Sequence, residues 1–182
     1  MSRSIMSGAL CLSLILLWPL IGLSEQATTV LSEPSGGFKF MIPEGWTTAE
    51  FPGFNFKICR GFPSGGFAPN IAVIDEAFDG SVEDYVTACS APMKKDAQGF
   101  KLLEKRAFNT DSGIRGIKLV FDSKWDRKQL MQTQYYFKGI KEKMLVITCS
   151  VLPEDGRKFA DIFDAAMKTL QIVEPTEGKP KN

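Results

Sequence analysis

Three cysteines (Cys59, Cys89 and Cys149) and a run of acids (Asp75, Glu76, Asp79, Glu83 and Asp84) are the side chains best suited to chemistry in this chain. Nucleophilic chemistry would need a base beside them, and the 182 residues include no histidine. That absence removes Ser-His-Asp and Cys-His pairs, histidine-ligated zinc or haem iron, and an imidazole switch near neutral pH. No Cys-x-x-Cys spacing is present, which speaks against a redox motif or a thiolate metal site. With the fourth cysteine, Cys11, in the leading apolar run set aside, this odd number allows at most one internal bridge and leaves a thiol over, and the sequence leaves open which of Cys59, Cys89 and Cys149 would pair. Cys89 falls on a helical apolar stripe and Cys149 alternates with Leu145, Ile147 and Val151, so core packing is the expected role of both. The acids could offer oxygens to Ca²⁺, but they lack the ligand spacing and central glycine of an EF-hand loop. They precede and enter a helix, where negative charge favours the positive end. No metal and no cofactor is expected.

The remaining features suit contact. Lys plus Arg is 22 against 21 for Asp plus Glu, a balance that gives no whole-chain field able to recruit DNA or other nucleic acid. Lys124, Arg127 and Lys128 form one basic group and Lys138, Lys141 and Lys143 another, at successive hairpin turns that a meander places at opposite ends of a sheet. Trp125 lies inside the first group, where it has little core to join, and such aromatics are enriched at contact surfaces. The segment Gly61 to Pro69 carries Phe62 and Phe67 among glycines and prolines that oppose regular structure. Its glycines are not followed by the Lys-Ser or Lys-Thr pair of a phosphate cradle. Phe62, Phe67 and Trp125 are therefore the candidate partner-binding residues, and no catalytic residue is expected.

The first residues point to export. Arg3 precedes an apolar run from Ala9 to Leu17, a Trp18-Pro19 break and small residues at Gly22 and Ser24, the order of a secretory signal peptide over 1–24. Its removal would take away Arg3 and with it the surplus positive charge. The uncharged stretch from Ile5 to Leu23 is close to the length needed to span a bilayer, so a retained anchor is the alternative, and membrane association is expected only in that case. Gly8-Ala9-Leu10 before Cys11 is not the context of a lipidated cysteine. The expected location is secreted or periplasmic.

Residues 25–36 read as a polar leader, 37–172 as one domain and 173–182 as a disordered tail. Phe38, Phe40 and Ile42 alternate with Lys39 and Met41 up to Pro43, a half-buried strand, after which Trp46 can fold back over the core. Strands are predicted over Phe54–Cys59, Asn70–Glu76, Leu102–Phe108, Ile114–Asp122, Gln129–Lys138 and Met144–Val151. Between them Ser81 and Asp84 make a capping box for a helix with Val82, Val86, Cys89 and Met93 on one face, ended or kinked by Pro92. A last helix over Glu154–Leu170 carries the stripe Phe159, Ile162, Phe163, Ala166, Met167 and Leu170. The total is an α+β domain with an antiparallel sheet of about six or seven strands flanked by helices.

The opening Gly37-Phe38-Lys39-Phe40-Met41-Ile42-Pro43-Glu44-Gly45-Trp46, the helix led by Ser81-Val82-Glu83-Asp84-Tyr85, and the closing strand and helix with Phe159, Phe163 and Thr169-Leu170 resemble the PsbP-like superfamily. Within it the likeness is to the small exported bacterial proteins typified by DcrB. The resemblance implies an α/β/α sandwich over nearly all of Gly37 to Ile172 and implies no shared activity. The superfamily includes a photosystem accessory subunit and a nuclear-import factor that binds a small GTPase. The expected function is that of an exported non-catalytic domain, not an enzyme, acting by protein-protein contact as an accessory or assembly factor of an envelope complex whose partner protein the sequence does not name. The alternative is a small hydrophobic ligand held between sheet and helix.

Overall fold

The computed structural model describes residues 29–174. The segment expected to be a signal peptide and residues 175–182 of the expected tail lie outside the described residues. Two antiparallel sheets and two helices make up the fold. The smaller sheet holds β1 (Val30–Glu33), β2 (Phe38–Met41) and β10 (Gln171–Ile172), in the order β1-β2-β10. The larger holds β3 (Thr47–Ala49), β4 (Ile58–Arg60), β5 (Asn70–Ala77), β6 (Lys101–Asn109), β7 (Arg115–Trp125), β8 (Lys128–Lys138) and β9 (Lys143–Val151). Its order is β3-β4-β5-β9-β8-β7-β6, so β7, β8 and β9 form a meander of long hairpins and β6 is the free edge.

Helix α1 (Val82–Asp96) follows β5, and α2 (Gly156–Lys168) follows β9 after a 3₁₀ turn over Pro153–Asp155. They cover opposite faces of the large sheet. Tyr85 and Val86 of α1 pack on Ile117, Leu119, Phe121, Tyr136, Met144 and Val146. On the other face Phe163, Ala166 and Met167 of α2 join Phe38 and Phe40 of the small sheet over Ile71, Tyr135, Phe137, Leu145, Ile147 and Cys149. This is the α+β layering expected, with the small sheet lying beside α2 as an added element. The meander at its centre is buried on both sides: Ile117, Leu119 and Phe121 face α1 while Lys118 and Val120 face α2.

Local chemistry explains most boundaries. Ser81 Oγ accepts from the Asp84 backbone and the Asp84 carboxylate accepts from the Ser81 backbone, the reciprocal box expected at the start of α1. The Ser81 hydroxyl, which donates to Asp84 Oδ2 at 2.6 Å, and then the Ser81 backbone N–H hold the Asp84 carboxyl below the usual carboxylate range. Pro92, expected to end or kink the helix, lies within it, and α1 runs on to Asp96. Pro92 and Ala88 are both exposed, so the carbonyl left without a donor faces water.

Two expectations need correction. Within the polar leader Val30–Glu33 pairs with β2, a strand that the sequence did not suggest. The strand expected over Phe54–Cys59 is only Ile58–Arg60; Pro52 and Gly53, the latter at φ +86°, turn the chain, and Phe56 leaves the ladder to meet Phe38 edge-on at 5.1 Å. Val173, assigned to the tail, is held by its N–H to the Gly37 carbonyl at 2.8 Å. Trp46 does fold back, with its ring 6.1 Å from Phe159 and 6.2 Å from Phe163. Gly61 lies beneath it, because a Cβ there would stand 2.8 Å from the indole.

Candidate functional site

Phe62, Phe67 and Trp125 come to one end of the large sheet, although they lie on separate loops. At this end β4 leaves into the Gly61–Pro69 loop, β9 hands over to the 3₁₀ turn, and the β7–β8 hairpin closes. The hairpin turns through Asp126 and Arg127, both in the left-handed region at φ 44° and 66°. The mirror-type turn this makes matches the strands' right-handed twist. Its tip outreaches its neighbours. Pairing with β9 begins only at Met131 and pairing with β6 stops at Asp122, and although Ser123 and Leu130 beyond these points are still buried, the residues around the turn stand clear of both ladders. Trp125 stands on this projection, paired with Lys128 and 72% exposed.

The glycine-rich loop is more ordered than its composition suggests. Ser64 and Phe67 exchange two backbone hydrogen bonds of 2.9 Å around Gly65 and Gly66, whose φ values are 57° and 72°. Gly61 N–H donates to Pro69 at 2.8 Å, closing the loop at its base. Lys128 Nζ donates to the Gly66 carbonyl and ties the loop to the hairpin. In this frame Phe67 is half-buried, while Phe62 is 80% exposed and lies over the Glu44-Gly45 turn. Phe62 and Trp125 are the most exposed large hydrophobic residues among those described.

The acids separate. Asp75 pairs with Lys143, Glu76 accepts from the Tyr85 hydroxyl, and Asp84 serves the helix cap. The basic groups also separate as expected, with Lys124, Arg127 and Lys128 at the loop end and Lys138, Lys141 and Lys143 at the other.

Among the described residues, Cys59, Cys89 and Cys149 are all free. Cys59 and Cys149 share a face, each paired with Ile71 from opposite sides, so one strand always lies between them. That spacing of two strands, about 9.6 Å, is too wide for a disulfide. Burial pushes the Cys59 thiol up to about 12 and raises Cys149 as well. We expect Cys59 and Cys149 to resist iodoacetamide in the native protein at pH 8, and mass spectrometry before and after unfolding in urea checks this. A raised thiol favours the folded state below the unfolded thiol pKa, and that contribution disappears as pH climbs toward 12.

One constellation escaped the sequence reading. Asp164 on α2 accepts from Lys118 Nζ at 2.7 Å, from Arg106 at 2.8 Å and from the Tyr135 hydroxyl at 2.5 Å, and Arg106 also pairs with Glu104. Lys118 is only 4% exposed. Burial raises the Asp164 carboxyl, but the hydrogen bonds from Lys118 and Tyr135 and the nearby cations outweigh it, so it sits below its ordinary range. The Tyr135 hydroxyl is raised by burial first, then by the neighbouring Cys149 and by its hydrogen bond to Asp164. A carboxyl held below its ordinary range against a hydroxyl held above its own suits fastening α2 to the sheet and not proton transfer. Its one sequence signal is the run from Gly116 to Phe121, apolar except for Lys118, which marks a strand covered on both faces.

The expected pocket between sheet and helix is filled by core side chains, among them Phe163, Met167 and Leu170. Two clefts lie elsewhere. One, of about 350 Å³, is bordered by Lys39, Met41, Asp111, Lys168 and Gln171, and one, of about 560 Å³, by Glu33 and the segment from Glu50 to Lys57.

No protein-family model and no curated protein matches the chain. Solved structures do resemble it. A protein of unknown function from Pseudomonas aeruginosa is 20% identical with a TM-score of 0.57, over 85% of this chain and 99% of its own. LpqN, involved in cell envelope biogenesis of Mycobacterium tuberculosis, is 12% identical with a TM-score of 0.60, over 82% of this chain and 87% of its own. The cyanobacterial PsbP, CyanoP, of Synechocystis sp. PCC 6803 is 14% identical with a TM-score of 0.59, over 86% of this chain and 98% of its own. At these identities the likeness is one of fold, and the fold is PsbP-like.

Proposed function

We propose that this chain is an exported, secreted or periplasmic PsbP-like domain without catalytic activity, of the kind typified by DcrB, that serves an envelope complex as an accessory or assembly factor by touching a partner protein. The observation that carries the proposal is the pair of aromatic rings, Phe62 and Trp125, held out to solvent at one end of the sheet on a tied loop and a projecting hairpin. Exposed aromatics on a rigid frame lose little entropy on docking and are the residues that dominate contact energies. The absence of histidine and the fixed protonation of the buried thiols support a non-catalytic role. The fold's likeness to LpqN, a protein involved in cell envelope biogenesis, supports the envelope setting. Among the described residues no helix is long and apolar enough to cross a membrane.

A photo-reactive phenylalanine analogue at position 62 or 125, in the full chain expressed in cells, should give a discrete protein adduct on irradiation. The same analogue at Lys105, on the free edge β6 away from this end, should not. Phe62→Ser and Trp125→Ser should abolish the adduct at the other position while changing stability by no more than about 0.5 kcal/mol, because neither ring packs in the core. No adduct from either position would end the proposal.

A further inference from the structure

The charges around Trp125 are more lopsided than the neutral chain suggests. Helix α1 ends beside the hairpin: the Gln98 carbonyl accepts from the Lys124 N–H at 2.7 Å, and Gly99 lies against the Lys124 side chain. This brings Lys94 and Lys95, from the last turn of α1, and Lys101, the first residue of β6, to the same quarter of the molecule as Lys124, Arg127 and Lys128. The acids of this quarter are fewer: Asp96, Asp122 and Asp126, with Glu154 at its border beside Gly65, next to the Gly66 carbonyl that Lys128 binds. None of the six bases forms a salt bridge among the described residues. The basic turn at the other end differs, since Lys143 pairs with Asp75 and Lys138 with Glu142.

Resting on the contact reading above, we infer that the partner presents an acidic protein face to the Trp125 quarter, with an apolar socket for the indole. Unpaired cations around a projecting aromatic have two effects. They draw an oppositely charged surface into register before the ring is buried, and they reject neutral or basic surfaces that could accept the ring alone. The hairpin's rigid two-residue turn holds Arg127 beside Trp125, so the charge and the ring reach the partner together. A protein face is favoured over a lipid surface because the second exposed ring, Phe62, lies over the Glu44-Gly45 turn and Glu154 reaches Gly65 of the same loop, acids that an anionic bilayer would repel.

The test uses the full chain in cells with the photo-reactive group at position 62, on the loop and outside the basic quarter. Lys95→Glu, Lys124→Glu and Arg127→Glu together, with Lys128 kept to hold the loop, should lower the adduct yield by about tenfold or more. The charge-retaining set Lys95→Arg, Lys124→Arg and Arg127→Lys should leave it unchanged, and equal melting temperatures of the purified variants establish that both fold. An undiminished adduct in the reversal set overturns the inference and leaves the contact reading standing. Absence of any adduct in the parent chain overturns both. Binding of the purified parent, but not of the reversal set, to phosphatidylcholine–phosphatidylglycerol vesicles, without a protein adduct in cells, would assign the quarter to lipid and overturn the inference.

Discussion

Asp164→Ala should destabilise the protein by about 3–5 kcal/mol, measured by urea unfolding at pH 7, because it strands a buried cation. Lys118 Nζ has Asp164 as its hydrogen-bonding acceptor, with the Tyr135 ring 5.7 Å away as a weaker electrostatic neighbour. With the carboxylate gone, an ammonium that is 4% exposed must stay charged in a poor solvent, lose its proton, or pull α2 away from the sheet. Removing both charges should cost far less than removing one. Lys118→Met combined with Asp164→Ala is expected to recover most of the loss, since methionine fills the space of the lysine stem without a charge. If the double variant is as unstable as the single, the ion pair is not the cause and the damage lies in α2 packing. The pH dependence has a definite sign. Asp164 is depressed in the folded state, so its contribution is fully present above the ordinary carboxylate pKa and is lost as pH falls through the folded value. Acid should therefore unfold the parent more steeply than the Lys118→Met, Asp164→Ala variant.

Gly116→Ala should be nearly as damaging, at about 3 kcal/mol, although it adds one methyl group. Gly116 pairs with Phe137 across the β7–β8 ladder, and a Cβ at this position would fall inside 3.0 Å of both the Tyr136 carbonyl oxygen and the Phe137 ring. The ring is fully buried among Phe108, Leu145 and α2 residues, and the carbonyl belongs to a central strand, so neither can give way cheaply. Gly53→Ala is the comparison. Its φ of +86° is strained for alanine, but no atom lies within 4 Å of the new methyl, so only the backbone term of about 1–2 kcal/mol is expected. Thermal unfolding of the two variants separates close packing from backbone conformation, and equal losses would contradict the steric account.

Several elements were legible because their signals are local. The capping box at Ser81 and Asp84, the alternation of Phe38, Phe40 and Ile42, and the stripe of α2 each involve residues within one or two turns of chain. The β4 boundary was misread because Phe54 and Phe56 look like strand residues, while the Pro52-Gly53 turn and the room beside Phe38 decide where they go. β1 was missed because a four-residue strand with one buried residue has almost no pattern of its own and exists through its pairing with β2. At the candidate site, sequence singled out Phe62, Phe67 and Trp125 from their surroundings. Their meeting at one end, and the hairpin's overhang, follow from strand order and register.

By itself, then, the sequence determined the fold class and excluded histidine chemistry, since periodicity and composition are properties of the chain alone. The tertiary structure decided where charge matters. A near-neutral sequence becomes a molecule with a buried Lys118–Asp164 pair between sheet and helix and an unpaired basic quarter around Trp125. Coulomb interaction depends on distance and on the surrounding dielectric, and neither exists until the chain has folded.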